Sequence, residues 1–313
     1  MKATFKEVVE LWKEDKRQYV KHSSYAIYVA LLNKHILPYF KAAESPGSGG
    51  QPAPAERQIR EFAASLTGKG YSPKTVKDAL MVLKMIIRFG EKLQAWPHAE
   101  YDVHIPDTPP GERRTIENRD LRRLTQYLGA NLSFRNLGIL ICIHTGIRIG
   151  EACGLRWGDI DTAEGVLRIN RTVQRICLSD NGIHEYYLSV GSPKTASGIR
   201  EIPLSKELGT ILRPIVKLMP PERYLLSNSG KPCEPRYLRD YFYSILRKLG
   251  IPRVRFHALR HSFATRCIEG RCDYKTVSII LGHASISTTM DLYVHPGRKE
   301  KKRVIERAAG TLC

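Results

Sequence analysis

Two stretches near the end of the sequence concentrate side chains that can move protons or bind anions. The stretch LGHASISTTMDLYVH places His283 ten residues before Tyr293. The stretch RFHALRH spaces His257 and Arg260 three residues apart, which brings both to one face of a helix. Taken singly, each histidine is more often a core or capping residue, and Tyr293 is more often a buried aromatic.

Two earlier stretches add cationic groups. In TGIRIGEACGLRW, Arg148 follows a glycine that is predicted to end one helix, and Glu151 comes three residues later. An arginine at such a junction can direct its guanidinium outward, although a surface ion pair with Glu151 is the more common outcome. In GSPKTASGIREIPL, Lys194 lies in a turn between two predicted strands, where most lysines are only solvated but some insert into a groove.

Together these side chains match what attack on a phosphodiester requires. The non-bridging oxygens accept bidentate hydrogen bonds from guanidinium groups, here Arg148 and Arg260. Fixed donors stabilise the extra negative charge of the five-coordinate transition state, and Lys194 can protonate the leaving 5′ oxygen. The phenol of Tyr293 can form an ester that keeps the energy of the broken linkage. Because free tyrosine has a pKa of about 10, cationic neighbours and a base such as His257 must promote its ionisation.

The charge balance points to a polyanionic partner. The 313 residues are enough for two domains and carry a net charge of +19. Residues 1–100 contain 16 basic and 10 acidic side chains, and the remainder contains 34 and 21, so both parts are basic. This distribution favours two surfaces that flank nucleic acid over a basic surface that serves only solubility.

Several classes of protein and cofactor find no support in the sequence. No run of 18 apolar residues and no N-terminal signal peptide is present, so we expect a cytoplasmic protein. The seven cysteines are scattered without a CxxC, which favours reduced thiols over disulfides or zinc, although Cys267 and Cys272 lie near two histidines. The absence of Walker and Rossmann motifs and of an acidic cluster indicates chemistry without a cofactor, ATP or a metal ion.

The first hundred residues predict a bundle of four helices. A capping box, Thr4 and Glu7, opens the first helix, and Ser72 followed by Pro73 opens the fourth, which should end before Gly90. A serine is expected to cap the second helix, and the third spans about 55–66. The three prolines of HIPDTPPGERR predict a linker. The predicted division is a helical domain at 1–103, the linker at 104–114 and a second domain at 115–313.

The second domain is predicted to be mainly helical with a small antiparallel sheet, which makes the fold class α+β. Two β-branched and aromatic runs flank an Asn-Gly turn signal at 181–182, and a third short strand is expected at 199–204. Helices are predicted near 118–129, 133–145, 206–218, 235–248, 257–269 and 273–281.

Five motifs in order, TGIRIGEACGLRW, SPKT, HALRH, LGH and MDLYVH, resemble those of the tyrosine recombinase (phage integrase) family. The resemblance covers roughly 115–313, and the N-terminal helices resemble, less specifically, the family's core-type DNA-binding domain. It implies a catalytic set with two supporting residues: Arg148, Lys194, His257, Arg260, His283 and Tyr293, supported by Glu151 and His261.

The resemblance also implies a role for each group. Tyr293 is the nucleophile, Lys194 is the general acid, and His257 is the general base or proton shuttle. His283 donates to the phosphate that the two arginines bind, and Glu151 orients the site. The implied reaction proceeds through a 3′-phosphotyrosine bond and a Holliday junction, without ATP or metal.

The implied assembly is a C-shaped clamp of two domains round double-stranded DNA, with a homo-tetramer on two duplexes. The tail at 296–313 would dock onto the next protomer, and accessory DNA-bending or directionality proteins can take part. An integrase of a phage or conjugative transposon is the first expectation. The chain begins directly with the core-type bundle, so we expect the arm-binding domain of larger integrases to be absent or removed. A Xer-like resolvase, a DNA invertase, a type IB topoisomerase and a non-catalytic DNA-binding protein remain alternatives.

Overall fold

The chain forms two compact units. The computed structural model describes residues 3–42, 53–98, 100, 103, 115–180, 183–193, 195–283, 285–287, 290 and 305–306. The first unit takes in 1–112 together with 175–187, and the second takes in 113–174 and 188–313. The predicted linker at 104–114 lies outside the described residues.

The first unit contains the predicted helices. Thr4 and Glu7 form the expected capping box, in which the Thr4 N–H donates to the Glu7 carboxylate over 2.8 Å. Ser72 accepts from the Thr75 N–H at the start of the last helix. The serine cap predicted for the second helix is wrong, because Lys21 occupies the N-cap and makes no side-chain cap bond. The helices are α1 (Phe5–Tyr19), α2 (His22–Leu31), a π-helical segment (Leu32–Ile36), α3 (Leu37–Ala42), α4 (Glu56–Gly68) and α5 (Pro73–Lys92).

The predicted end of α5 at Gly90 is also wrong, since the helix continues to Lys92. Gly90 is buried, and a β-carbon at this position would overlap the ring of Trp96. Trp96 in turn stacks on Phe5, with ring centroids 6.1 Å apart. The glycine therefore makes room for the Trp96 ring, which folds back over the helix, rather than ending the helix.

The second unit contains the remaining helices at the predicted positions. Where one sheet was expected, the described residues form two: β1-β2-β5, which lies in the second unit, and β3-β4, most of whose residues belong to the first unit. Strand β5 runs antiparallel to β2, with Arg200 opposite Ile169. The helices are α6 (Asn118–Ala130), α7 (Phe134–Thr145), α8 (Ile149–Gly154), α9 (Lys206–Val216), α10 (Pro235–Lys248), α11 (Ala258–Glu269) and α12 (Tyr274–Leu281). The strands are β1 (Ile160–Asp161), β2 (Val166–Ile169), β3 (Thr172–Asp180), β4 (Ile183–Gly191) and β5 (Arg200–Pro203).

Helix α7 is the centre of the second unit. Its residues from 136 to 143 are all buried, as expected of a helix that is apolar on every side. It begins with Ser133, whose hydroxyl accepts from the Asn136 N–H, and it ends at Gly146. None of the described helices is long and apolar enough to cross a membrane.

Candidate active site

Arg148 lies at the junction of α7 and α8, as the sequence predicted. It is the N-cap of α8, and its main-chain N–H donates to Glu151 Oε2 over 2.9 Å. Its guanidinium donates from Nη1 to Glu151 Oε1 over 2.9 Å and from Nη2 to the Gly282 carbonyl over 3.1 Å. The side chain is nevertheless 40% exposed, so the guanidinium is held in place while part of it faces solvent.

Arg260 lies in the first turn of α11 and is 2% exposed. Its Nη1 donates to the carbonyl of Gly146 over 3.1 Å. Gly146 precedes Arg148 by two residues, and Gly282 directly precedes His283. Each arginine is thus held by a carbonyl from the segment that carries another residue of the predicted site.

Both carbonyls belong to glycines with left-handed backbone, at φ +67° for Gly146 and +66° for Gly282. A β-carbon on Gly146 would lie 2.6 Å from Phe263 Cδ1 and 2.9 Å from Leu281 Cδ2. A β-carbon on Gly282 would lie 2.9 Å from Arg200 Nη1. Only glycine combines this conformation with such close packing, which lets the ends of α7 and α12 approach the two arginines.

Glu151 is buried, with a side chain that is 2% exposed, and it is bonded to a second arginine that the sequence analysis missed. Arg200 Nη1 and Nη2 donate to Glu151 Oε1 and Oε2 over 3.2 and 2.9 Å. Burial alone would raise the pKa of Glu151, but the hydrogen bond and charge of Arg200, aided by Arg148, hold the pKa below its usual value. The carboxylate is therefore ionised at neutral pH.

A signal for Arg200 was present in the strand pattern. Side chains alternate along β5, and Arg200 lies on the same buried face as Ile202. An arginine on a core-facing position needs a buried acceptor. The buried Glu151 is that acceptor.

The three histidines lie around the arginines. His257 is exposed at the N-cap of α11, and its ring meets the His261 ring edge-on, with centroids 4.6 Å apart. His283 follows α12. Burial, followed by the charges of Arg260, Arg148, His257 and Arg200, lowers the pKa of His283 to about 4. His283 is thus neutral at pH 7 and can donate one hydrogen bond from its ring.

The structure brings six of the eight predicted site residues together in the second unit: Arg148, Glu151, His257, Arg260, His261 and His283. Lys194 and Tyr293 lie outside the described residues. The segment after Lys194 contacts the site, because the Gly198 carbonyl accepts from Arg200 Nη1 over 2.9 Å. Within the described ranges, no three histidine, cysteine or acidic side chains are grouped so that they could hold a metal ion.

The fold is that of the DNA integrases. The Tn1549 transposon integrase, solved in complex with a circular intermediate DNA, superposes with a TM-score of 0.71 at 22% identity, covering 96% of this chain and 99% of that one. The lambda integrase, solved as a tetramer bound to a Holliday junction, superposes with a TM-score of 0.64 at 16% identity, covering 95% and 79%.

Sequence comparison identifies the family. Residues 114–300 match the phage integrase family, and residues 4–43 match the phage integrase N-terminal SAM-like domain. The chain is 29% identical to a XerC-like tyrosine recombinase of Caldanaerobacter subterraneus, over 80% of this chain and 69% of that protein. It is 28% identical to the tyrosine recombinase XerA of Pyrococcus furiosus, over 82% of each. The chain therefore belongs to the phage integrase family and is a site-specific recombinase of the tyrosine class.

Proposed function

We propose that Arg148, Arg260 and His283 bind the scissile phosphate of double-stranded DNA while Tyr293 attacks the phosphorus. The Tyr293 oxygen forms a bond to phosphorus, the bond to the 5′ oxygen breaks, and a 3′-phosphotyrosine ester results. The phenol gives its proton to His257, and Lys194 protonates the leaving 5′ oxygen. The observation that carries the proposal is the convergence of two guanidiniums and a neutral histidine in one unit.

The arrangement suits a phosphate in both charge and hydrogen bonding. Among the described residues, Glu151 is the one carboxylate that bonds to Arg148 and Arg200. The cluster therefore keeps an excess of positive charge. Arg148 offers an exposed guanidinium, whereas Arg260 is 2% exposed and must become more accessible before a phosphate contacts both. The charges of the neighbouring cations help to lower the pKa of His283, and a bound anion would offset them. This electrostatic gain favours binding of a phosphate.

Recombination requires a second step on a partner duplex. The free 5′ hydroxyl attacks the partner strand's phosphotyrosine, and two rounds of exchange pass through a Holliday junction held by four copies of the chain. The lambda integrase tetramer on a Holliday junction, which shares the fold, supports this assembly. The net charge of +19 supports DNA as the partner. Lys194 and Tyr293 would complete the site.

We assign this reaction to the integration and excision of a mobile element in the cytoplasm. Near-complete coverage by the Tn1549 transposon integrase, 96% of this chain and 99% of that one, supports this role. Resolution of duplicated sites is the second candidate, because the XerA relative matches over 82% of each chain at higher identity.

The experiment that tests cleavage uses nicked suicide duplexes carrying the ends of the element. The wild type should form a covalent adduct that survives denaturing electrophoresis. Tyr293→Phe should bind the duplex equally well and form no adduct, and Arg148→Ala should bind but cleave at least about a hundredfold more slowly. A native cleavage rate in either variant contradicts the assignment, and no wild-type adduct would indicate a protein that only binds DNA.

A second assay separates the two biological roles. A mobile-element integrase joins element ends to a non-identical target, whereas a resolvase recombines two identical sites in direct repeat. Supercoil relaxation without any joining of partner duplexes would instead indicate a topoisomerase.

A further inference from the structure

Arg200 connects three segments that converge on the candidate active site. Its side chain is 4% exposed. Nε donates to the Ile280 carbonyl over 2.5 Å, and Nη1 donates to the Gly198 carbonyl over 2.9 Å. The two Nη groups also hold Glu151 over 3.2 and 2.9 Å. One guanidinium thus joins α8, the last turn of α12 and the segment that follows Lys194.

The carboxylate of Glu151 is shared evenly between two arginines. Oε1 accepts from Arg148 Nη1 and Arg200 Nη1, and Oε2 accepts from the Arg148 main-chain N–H and Arg200 Nη2. Each oxygen therefore has two donors, one from each arginine, which fixes the carboxylate in both position and rotation. Glu151, together with the carbonyls of Leu281 and Gly282, sets the orientation of the Arg148 guanidinium.

We propose that Arg200 is a positioning residue for strand cleavage, which holds Glu151 so that the Arg148 guanidinium is presented to the scissile phosphate. This inference rests on the proposed role of Arg148 in binding that phosphate. Arg200, the first residue of β5, stays buried against α8 and α12 and makes no contact with DNA.

Lysine cannot replace Arg200 in this role, although it keeps the charge. A guanidinium has donors on three nitrogens in a fixed plane, and Arg200 uses all three nitrogens at once. A single ammonium group can reach the carboxylate or the carbonyls but cannot hold all of them in this geometry. Arg200→Lys should therefore loosen Glu151, which keeps only its bonds from Arg148, and let the Arg148 guanidinium shift while the overall charge is unchanged.

The matched control is Arg171→Lys. Arg171 also pairs with a mostly buried carboxylate, since its Nη1 donates to Asp159 Oδ2 over 2.5 Å, and its side chain is 23% exposed. It makes no bond to Glu151 or Arg148 among the described residues. Arg171 also donates to the Gly154 carbonyl at the end of α8 over 3.3 Å, so Arg171→Lys reports the loss of a partly buried arginine–carboxylate pair beside the same helix without removing a bond to Glu151 or Arg148.

The experiment measures cleavage of two suicide duplexes, one with a normal scissile phosphate and one with a methylphosphonate there. The methylphosphonate has no negative charge, so it gains little from a well-oriented cation. On the normal phosphate, Arg200→Lys should cleave about a hundredfold more slowly than wild type. On the methylphosphonate, Arg200→Lys and Arg171→Lys should be slowed relative to wild type by the same factor. The double variant Arg148→Ala with Arg200→Lys should cleave no more slowly than Arg148→Ala alone.

The outcomes separate this inference from the proposed function. If Arg200→Lys is slowed equally on both duplexes, or if the losses in the double variant are additive, Arg200 only stabilises the fold. Either result overturns the inference. Equal slowing of Arg148→Ala on both duplexes overturns phosphate binding by Arg148, and the inference falls with it. All rates are compared below the unfolding temperature of each variant, so that a misfolded protein is not counted as a slow one.

Discussion

Gly146→Ala tests the packing that lets the end of α7 hold Arg260. The backbone at Gly146 has φ +67°, and a non-glycine residue in this conformation costs about 1–2 kcal/mol. The new methyl group would also lie 2.6 Å from Phe263 Cδ1 and 2.9 Å from Leu281 Cδ2. Overpacking of this kind adds about 1–3 kcal/mol. We therefore expect a loss of about 2–5 kcal/mol in the free energy of unfolding of the second unit.

Gly250→Ala is the control, since Gly250 follows α10 with φ +64° and has no atom within 4 Å of its β-carbon position. It should lose only the conformational part, about 1–2 kcal/mol. Urea unfolding combined with hydrogen exchange of α7 peptides measures both losses in the relevant unit. Equal losses in the two variants would mean that the crowding at Gly146 is relieved at no cost, so that Phe263 and Leu281 do not require a glycine at this position.

Three further changes have outcomes that follow from the structure. His283 has a pKa of about 4 when folded against 6.5 ordinarily, so its contribution is intact above pH 6.5 and is lost as the pH falls towards 4. Wild type should therefore lose stability relative to His283→Gln between pH 7 and 4, by about 1–2 kcal/mol because the half-buried ring is partly screened by solvent. Glu151→Gln leaves a buried guanidinium without its counter-charge and should cost about 3–5 kcal/mol in urea unfolding, whereas Glu201→Gln, whose side chain is 62% exposed, should cost at most about 1 kcal/mol. Gly90→Ala should destabilise the first unit by about 1–3 kcal/mol, because the new methyl group meets the Trp96 ring; an unchanged thermal midpoint would contradict this packing.

The elements that the sequence predicted well are those whose signals are local. The capping residues Thr4 and Ser72 form bonds to N–H groups three residues away, so the sequence contains both partners of each bond side by side. The end of α5 was mispredicted because the reason for Gly90 lies in Trp96, which packs over it. The division into two sheets was missed because the pairing of β5 with β2 joins residues more than thirty positions apart.

The residues of the candidate site were also predicted only in part. Motif order placed Arg148, Arg260 and His283 in one site, and the structure brings them together. The positions of Lys194 and Tyr293 stay predictions, as both lie outside the described residues. Arg200 was missed because it is buried and is bonded to a carboxylate, whereas the predicted site consisted of side chains that could touch a phosphate and of their sequence neighbours.

The means by which the fold tolerates this cluster of cations also explains why the cluster can still bind an anion. Two helix C-termini, which carry partial negative charge, point their last carbonyls at the arginines. The end of α7 accepts from Arg260, and the end of α12 accepts from Arg148 and Arg200. Carbonyl dipoles satisfy the donors and orient the guanidiniums without cancelling their formal charge, which a ring of carboxylates would have done. Glu151 is the counter-charge bonded to Arg148 and Arg200, so these two arginines stay oriented while the cluster keeps a net positive charge that a phosphate can neutralise.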